Sequence, residues 1–529
     1  MNSPLQSCAD HPQNLHMIKT WLSRCEKHSI CTQSLEFSDD FSLPTRLIDL
    51  QSEKPKLINS IDLAEPAKVC YCALSHCWGN PQTVPKTTRD TIDEYRSGIP
   101  TLSKTFQDAV EFSKRLGIQY LWIDSLCIIQ DERADFEREC SIMHYIYARA
   151  YLTISALGAE GGDVGLFIPR VSRAYKEPTF IWDQACEGPL RVRGWAFQEQ
   201  QLSPRLVHFG KTRILWECRR SIAFEDRPSL THRSLAAFRV KSDEPYDELG
   251  SSLRSFDGRN ESLMTLLLRW HTWGGMDQVF TRWLWMMEEY SSRMYTFEED
   301  KLTALLGMAA VVSNATDQSI YWAGTWGCDL IRGVLWIPGS RSTRKSPSVL
   351  TCKNSQRVPG IPTWSWASHR GPVHFMVIYG NTRHEAIGSK PTYDQLGRDT
   401  NNGQQPSLCF LNRNLISDSG TDGDKSILSL TGLAARISVQ EGSLEISDLT
   451  DRLCVRIRNQ VYQVIDDFYI SEPTIDGNFD GVIVAVMDTG SILRGLILKE
   501  SLENRFERVG VFQLFNDFEG FKQKTVMII

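Results

Sequence analysis

Residues 69–165 alternate between strand-like and helix-like segments, and this alternation limits the fold more than any other feature of the chain. Three apolar runs of strand length lie at residues 69–74, 120–123 and 151–155. Apolar runs without polar alternation are typical of strands covered on both faces, as in a parallel sheet. The order β-α-β-α-β implies right-handed crossovers. The sequence therefore predicts an α/β fold with an open, mostly parallel sheet and helices on both faces.

Two helices are predicted between these strands. The first opens at residues 101–103 and ends at Gly117, which is typical of a left-handed helix cap. The second covers residues 133–149, where apolar residues recur at helical spacing. Its predicted buried face consists of Phe136, Cys140, Met143 and either Ile146 or Tyr147.

Residues suited to ligand binding follow each of the three strands. His76 follows the first strand, Asp124 ends the second, and a glycine-bearing loop at residues 158–165 follows the third. In open α/β sheets, ligands bind beyond the carboxyl ends of the strands. We therefore expect these three positions to gather at one edge of the sheet.

The length of 529 residues fits about two to four domains. Residues 260–315 are helix-like and rich in Trp, Leu and Met, whereas the last hundred residues contain several short strand-like runs. The predicted organisation is an N-terminal helical extension (1–50), the domain that contains the sheet (51–230), a helical Trp-rich region (231–378), a loop or linker (379–425) and a β-rich C-terminal region (426–529).

Charge and hydropathy exclude two classes of protein. The formal net charge is −6, whereas dedicated nucleic-acid binders normally carry a strong basic excess. No apolar run reaches the roughly 18 residues of a transmembrane helix. The first residues also lack the basic and then apolar pattern of a signal peptide. We expect a soluble cytoplasmic protein with no nucleic-acid partner and no membrane span.

The fourteen cysteines are spread over the whole chain, which favours reduced thiols in a protein without a secretion signal. Cys25, His28 and Cys31 form one cluster, with Cys8 and His11 a short way upstream. Zinc takes about four N or S ligands, which these residues can supply. The spacing is not that of a standard finger or ribbon, however, and the segment from position 16 to position 31 is also predicted as one helix. The sequence therefore predicts ordinary buried cysteines and no metal site.

Three motifs in the first half of the chain contain more polar and aromatic residues than packing requires. They are Ala-Leu-Ser-His-Cys-Trp-Gly at 73–79, Leu-Trp-Ile-Asp-Ser-Leu-Cys-Ile-Ile-Gln-Asp at 121–131, and Arg-Gly-Trp-Ala-Phe-Gln-Glu-Gln-Gln-Leu-Ser-Pro-Arg at 193–205. In this order they closely resemble the fungal heterokaryon-incompatibility (HET) domain. Further segments that fit the resemblance lie at 143–150, 216–218, 290–302, 321–326 and 362–368. The resemblance therefore spans roughly residues 15 to 370.

The resemblance implies a protein of the fungal vegetative-incompatibility class, in which incompatible partners that meet after hyphal fusion trigger programmed cell death. The family has also been compared with TIR domains, which share a flavodoxin-like sheet and in some members hydrolyse NAD. Many HET-like proteins serve other ends, including steps within metabolite gene clusters. Unlike many incompatibility proteins, this chain has no repeat module and no Walker-type phosphate-binding motif.

His76 and Asp124 are the first two candidate site residues. A histidine titrates near neutral pH and can act as an acid, a base or a hydrogen-bond donor, although His76 is also suited to pin its loop. A carboxylate that ends an apolar strand costs several kcal/mol if it is desolvated without partners. Asp124 must therefore be paired, solvated in a cleft or capping a turn, and the cleft is favoured.

Cys127 and Glu199 complete the predicted catalytic set. Cys127 lies three residues after Asp124 and can form a nucleophile pair with His76, or it is a small buried cysteine. If NAD cleavage applies, Glu199 holds the ribose hydroxyls or stabilises the oxocarbenium-like charge, with Asp124 as its partner. The alternative for Glu199 is a buried ion pair with Arg193 or Arg205.

The predicted substrate-binding residues surround this set. Trp78 and Trp195 can stack on a base or ring, although tryptophan is chiefly core material. Gln130 either contacts substrate or caps the next helix. The full set is Ser75, Trp78, Gln130, Trp195, Gln198 and Arg205.

The sequence thus predicts a HET-domain effector of self/non-self recognition and programmed cell death, without identifying a cofactor. One alternative is an enzyme of the same fold, either an NAD-cleaving hydrolase or a catalyst in a fungal secondary-metabolite pathway. Another is a non-catalytic interaction module. The partners considered are a second protein, self-association or a small-molecule substrate.

Overall fold

The structure is a computed structural model. It describes residues 5–33, 43–170, 187–232, 263–273, 275–298, 300–318, 321–338 and 358–375, together with the strands from Ser407 to Ile528 given below. The chain forms two compact units. The first comprises Met1–Val279 and Ala304–Thr316, and the second comprises Phe280–Thr303 and Asp317–Ile529.

The first unit is built on a nine-stranded sheet. Its strands are β1 (Arg46–Asp49), β2 (Lys56–Asn59), β3 (Tyr71–Ser75), β4 (Tyr120–Trp122), β5 (Leu152–Ser155), β6 (Arg205–Phe209), β7 (Ile214–Cys218), β8 (Ser221–Phe224) and β9 (Arg227–His232). The strand order is β2-β1-β4-β3-β5-β6-β7-β8-β9. The four central strands, β4, β3, β5 and β6, run parallel, and the flanking strands pair antiparallel. The predicted α/β architecture is therefore observed, with a parallel centre that antiparallel strands extend on both sides.

The helices of the described residues begin and end as follows. They are α1 (Pro12–Cys25), α2 (Ser29–Thr32), α3 (Ile92–Ser97), α4 (Lys104–Leu116), α5 (Asp124–Cys127), α6 (Arg133–Arg149), α7 (Trp195–Leu202), α8 (Leu263–Trp273), α9 (Gly275–Ser291), α10 (Asp300–Thr316) and α11 (Leu330–Val334). Both helices predicted between the first three strands are observed, as α4 and α6. Ser103 caps α4 by accepting from the Phe106 N–H, and Gly117 ends it with a φ of 84°.

Neighbouring residues of β3 show that α4 and α6 cover opposite faces of the sheet. The Tyr71 hydroxyl donates to the Ile146 carbonyl of α6 at 2.6 Å. Cys72 is hydrogen-bonded to Ser113 of α4. Because consecutive side chains of a strand point to opposite faces, these two helices sandwich the parallel strands.

The N-terminal segment differs from the prediction in two ways. The single helix expected for positions 16–31 is wrong, because α1 ends at Cys25 and α2 starts at Ser29. The turn between them is closed by the His28 N–H, which donates to the Cys25 carbonyl at 2.9 Å. In addition, β1 lies within the segment expected to be a helical extension and pairs with β4. Its buried Arg46 and Asp49 break the apolar run by which a strand is usually predicted.

The second unit contains a cluster of buried tryptophans, two two-stranded sheets and one eight-stranded sheet. Trp283 packs edge-to-face on Trp326 with ring centroids 5.5 Å apart, and both Trp283 and Trp366 donate to the Gly324 carbonyl. Its strands are β10 (Tyr321–Trp322), β11 (Thr325–Trp326), β12 (Trp336–Pro338), β13 (Val373–Phe375), β14 (Ser407–Phe410), β15 (Leu428–Gln440), β16 (Ser443–Ser447), β17 (Phe468–Ile470), β18 (Phe479–Asp488), β19 (Ile492–Leu502), β20 (Arg505–Phe515) and β21 (Lys522–Ile528). Among the described residues, no helix combines the length and apolar character needed to cross a membrane.

Candidate active site

The carboxyl ends of the parallel strands meet at one edge of the sheet, as predicted. The loop after β3 and the loop after β5 touch there through two glycines. Gly79 has a φ of 68°, and a Cβ at this position would lie 2.8 Å from the Gly161 Cα. Only glycine allows both this backbone conformation and this close approach. The contact fixes where the residues between β3 and Gly79 lie.

Asp124 is the hub of the polar contacts at this edge. One oxygen of its carboxylate, Oδ2, accepts from the Trp78 indole at 2.8 Å. The other, Oδ1, accepts from the Ser125 N–H at 2.7 Å and lies 3.7 Å from the Nδ1 of His76. Its side chain is 18% exposed. Asp124 is therefore paired with neighbouring groups and partly solvated, so two of the three roles open to it in the sequence are filled; it does not cap α5, because it is the first residue of that helix.

His76 is sealed beneath this carboxylate. Its side chain is 1% exposed, and its ring meets Phe106 edge-on with centroids 5.0 Å apart. Burial lowers the pKa of His76 to about 4, although the charge of Asp124 opposes this shift. The imidazole is therefore neutral at physiological pH. This differs from the expectation of a histidine that titrates near neutral pH, and it argues against proton transfer by this ring.

Glu199 brings the third motif into the same cluster. It lies on α7 with 5% of its surface exposed, and burial raises the pKa of its carboxyl to about 7. The charge of Arg193 and hydrogen bonds with Ser75 and Tyr147 lower this pKa, whereas the charge of Asp124 raises it. The guanidinium of Arg193 also donates to the main-chain carbonyl of the histidine that follows β3. The three motifs therefore contribute side chains to one buried polar cluster.

The two carboxyl groups of the cluster have different environments. Asp124 accepts two N–H groups and is partly solvated, whereas Glu199 is buried and titrates near neutral pH. A carboxyl whose pKa lies near neutral pH is suited to general acid–base chemistry. The arrangement is chemically suited to stabilise a developing positive charge and to accept a proton.

The other predicted binding residues lie at varying distances from this centre. Ser75 is buried and hydrogen-bonded to Glu199. Trp78 is half-buried against Asp124. Gln130 donates to the carbonyls of Asp124 and Ile128, so it holds the turn after β4.

Gln198 and Trp195 lie on α7, the helix of Glu199. Gln198 is buried, and its amide oxygen would lie 2.7 Å from a Cβ built on Gly307. Trp195 is half-buried and packs against the hydrophobic core. Both positions are therefore held by the packing of α7.

Two predicted residues do not fit the roles expected for them. Cys127 is fully buried and burial raises the pKa of its thiol to about 12, whereas a nucleophilic cysteine must be a thiolate. Arg205 begins β6 at the opposite edge of the sheet, where it donates to the Tyr151 carbonyl at 3.1 Å. Of the two arginines considered as ion-pair partners for Glu199, the cluster therefore contains only Arg193.

A second set of buried polar residues was not predicted. His208 of β6 contacts the Ser155 hydroxyl through Nδ1 at 2.9 Å and the Glu217 carboxylate through Nε2 at 3.1 Å. Gln200 of α7 also donates to Glu217 at 3.1 Å. Since Ser155, His208 and Glu217 are each less than 4% exposed, this array resembles a catalytic triad in composition but holds the sheet against α7. The only sequence signal is a polar residue inside each apolar strand.

One further group of side chains has the composition of a metal site. Cys25, His28, Cys31 and Cys218 place one donor atom each within 4.8 Å of one another. The upstream cysteine and histidine that the sequence suggested as additional ligands are not part of this group. The fourth member comes from the end of β7, far along the chain.

Comparison with known proteins identifies the domain that carries the polar cluster. Residues 71–199 match the family described as heterokaryon incompatibility protein (HET). The match begins at the start of β3 and ends at Glu199, so it contains His76 and Asp124 as well. No curated protein and no solved structure matches the chain. The resemblance predicted from the three motifs is therefore confirmed for this segment.

Proposed function

We propose that the HET domain at residues 71–199 makes this chain an effector of fungal vegetative incompatibility, which acts in self/non-self recognition and triggers programmed cell death. The family match supports this proposal. Polar residues from all three motifs also contribute to one cluster. A group of neighbouring ionisable side chains in which one carboxyl has a strongly shifted pKa is typical of functional sites.

As the chemical activity behind this biological role, we propose hydrolysis of NAD or a related nucleotide at a TIR-like sheet. The observation that carries this step is the carboxyl of Glu199, buried beside Asp124 and Arg193 with a pKa of about 7. In the reaction, water attacks the ribose carbon that bears nicotinamide, the carbon–nitrogen bond breaks and nicotinamide leaves with the electron pair. A carboxylate stabilises the oxocarbenium-like charge, and a group with a pKa near 7 accepts the proton from water.

The residues around the two carboxyl groups suit this assignment. Asp124 and the half-buried Trp78 form the solvent-facing part of the cluster. An indole is suited to stack on an aromatic ring of a nucleotide. His76, neutral and buried, lies 3.7 Å from Asp124 and does not itself exchange protons in this proposal.

The experiment is nicotinamide release from NAD by the purified full chain. We expect release by the natural protein and a loss of at least about a hundredfold in Glu199→Gln, which keeps the shape of the side chain but cannot ionise. Glu137→Gln is the matched control, since Glu137 is exposed on α6 and pairs with Arg133. No release by the natural protein, or equal release by Glu199→Gln, excludes NAD hydrolysis at this cluster.

A non-catalytic interaction module is the second candidate, and the burial of His76 and Glu199 favours it. Expression of the full chain in a filamentous fungus distinguishes the two candidate functions by their effect on growth. Growth arrest that depends on the ionisable carboxyl of Glu199 supports the enzyme. Growth arrest by a folded Glu199→Gln variant supports the interaction module, and healthy growth at high expression of the natural chain contradicts the effector role.

A further inference from the structure

Four side chains from two distant parts of the chain converge at the N-terminal helices. The Nδ1 of His28 lies 3.7 Å from the Sγ of Cys31 and 3.7 Å from the Sγ of Cys218. With Cys25, the four donor atoms lie within 4.8 Å of one another. The three cysteines are 0%, 3% and 1% exposed in chain order. We refer to this group as the Cys₃His cluster.

The local backbone is built to hold these donors together. The helix α1 ends at Cys25, and the turn to α2 places His28 and Cys31 on the same side of the chain. Cys218 is the last residue of β7, and the tight turn to β8 directs the Ser221 N–H onto its sulfur at 3.3 Å. An amide that donates to a sulfur stabilises the thiolate form, as second-shell hydrogen bonds do at metal centres.

The distances fit a tetrahedral zinc ion. Zinc binds sulfur at about 2.3 Å and imidazole nitrogen at about 2.0–2.1 Å, which requires S···N edges of about 3.6 Å and S···S edges of about 3.8 Å. Both S···N contacts of His28 are 3.7 Å. The widest pair of donors, at no more than 4.8 Å, is about 1 Å from the ideal edge, a difference that small side-chain rotations remove.

The charge around the cluster also fits a bound zinc ion. Three thiolates and a neutral imidazole leave a zinc centre with one net negative charge. Arg219 directly follows Cys218 in the chain and is 3% exposed. Its guanidinium also donates to the carbonyls of Ile30 and Gln33 at the end of α2. A buried arginine beside three cysteines is explained if those cysteines carry negative charge.

We propose that Cys25, His28, Cys31 and Cys218 bind one structural Zn²⁺ that fastens the N-terminal helices to the β7–β8 turn. The four protein ligands fill the coordination sphere, so the ion has no open position for catalysis. Thiolate and imidazole donors select zinc over oxygen-preferring cations such as Mg²⁺ and Ca²⁺. The site is independent of the proposed NAD chemistry.

The test is the metal content of the full chain, purified under reducing conditions without chelator. We expect about one zinc per chain by elemental analysis, and less than about a tenth of that in Cys218→Ser. Cys127→Ser is the matched control, because Cys127 is an equally buried cysteine outside the cluster. If Cys127→Ser keeps its zinc, even at lower stability, while Cys218→Ser loses it, the result supports zinc binding by the Cys₃His cluster.

A second measurement covers the case in which Cys218→Ser fails to fold. Cobalt(II) exchanged into the natural protein gives thiolate-to-cobalt charge-transfer bands and intense tetrahedral d–d bands when cysteines bind it in this geometry. We also expect a chelator to lower the melting temperature of the natural chain. Natural protein that contains no zinc, or that shows neither the cobalt bands nor a response to chelator, overturns the proposal.

Discussion

The imidazole of His76 and the carboxylate of Asp124 follow different strands, yet their nearest nitrogen and oxygen atoms lie 3.7 Å apart. The contact joins the end of β3 to the end of β4, and Arg193 joins both to α7 through the carbonyl of His76. The candidate site is therefore part of the core of the domain. Its ionisable groups should affect stability as well as activity.

We predict that His76 makes the protein sensitive to acid. Burial lowers the pKa of its ring from the ordinary 6.5 to about 4. Between these values the unfolded chain binds a proton that the folded chain does not, so the free energy of unfolding falls as the pH falls. The loss amounts to about 3 kcal/mol at pH 4. Urea unfolding of His76→Gln between pH 7.5 and pH 4 should show a shallower decline than the natural protein.

A second buried histidine also contributes to the loss of stability at low pH, and an exposed histidine provides a control. His144 of α6 is also buried, and burial lowers its pKa to about 4. Replacing His76 alone should therefore remove about half of the pH dependence that the two histidines cause. His16 is exposed, and His16→Gln should leave the curve unchanged. Equal slopes in all variants would show that neither buried ring is the cause.

For Glu199 the opposite pH dependence is expected. Burial raises the pKa of its carboxyl from 4.5 to about 7. Between these values the folded chain holds a proton that the unfolded chain has lost, so stability falls as the pH rises. Glu199→Gln should therefore gain stability relative to the natural protein from about pH 4.5 upward, by up to about 3 kcal/mol above pH 7. Thermal unfolding at pH 4.5 and pH 8 measures this, and a difference that does not change with pH contradicts it.

The parallel centre of the fold could be predicted because its signals are local. The strands β3, β4 and β5 are apolar runs, and α4 lies between a serine cap and a glycine cap. Such signals need only a few neighbouring residues. The gathering of His76, Asp124 and the loop after β5 followed from the order of these elements.

The features that sequence patterns missed depend on residues far apart in the chain. The predicted buried face of α6 included Phe136, which is instead 43% exposed. Asp135 and Glu139 are buried in its place, because Arg46 of β1 pairs with both. The spacing of apolar residues cannot reveal that charged residues of a helix are buried because a distant strand supplies the opposite charge.

The Cys₃His cluster shows the same difficulty. Cys218 is 190 residues away from His28. The nearby spacing of Cys25, His28 and Cys31 matches no standard zinc motif, and the fourth ligand becomes visible only when the sheet brings β7 to the N-terminal helices. The tight turn after Cys218 is a local signal, but it does not identify the partners.

The contact between the loop after β3 and the loop after β5 can be tested by substituting two glycines, one inside the contact and one outside it. Both Gly79 and Gly117 have left-handed backbone conformations, with φ of 68° and 84°. A Cβ on Gly79 would lie 2.8 Å from backbone of the neighbouring loop, whereas a Cβ on Gly117 would meet nothing within 4 Å. Gly117→Ala should therefore cost about 1 kcal/mol from backbone strain alone. Gly79→Ala should cost more, and a folded variant should also lose the proposed activity. Denaturant unfolding compares the two, and equal costs would mean that the loops separate easily.

Arg46 should be one of the most sensitive positions of the first unit. Its side chain is 7% exposed, it pairs with Asp135 and Glu139, and its Nε donates to the Cys127 carbonyl at 2.7 Å. Removing Arg46 leaves the two buried carboxylates with the half-exposed Arg138 as their charged partner, and breaking a buried ion pair in this way costs about 3–5 kcal/mol. Arg46→Met should therefore lower the melting temperature strongly at pH 7. Since its pairing partners are carboxylates, acidification that protonates them should narrow the difference in melting temperature between the variant and the natural protein.

Arg133→Met is the control for this prediction, because it breaks only an exposed pair with Glu137 on the same helix α6. It should melt like the natural protein, and a similar loss of melting temperature in both variants would contradict the role given to Arg46.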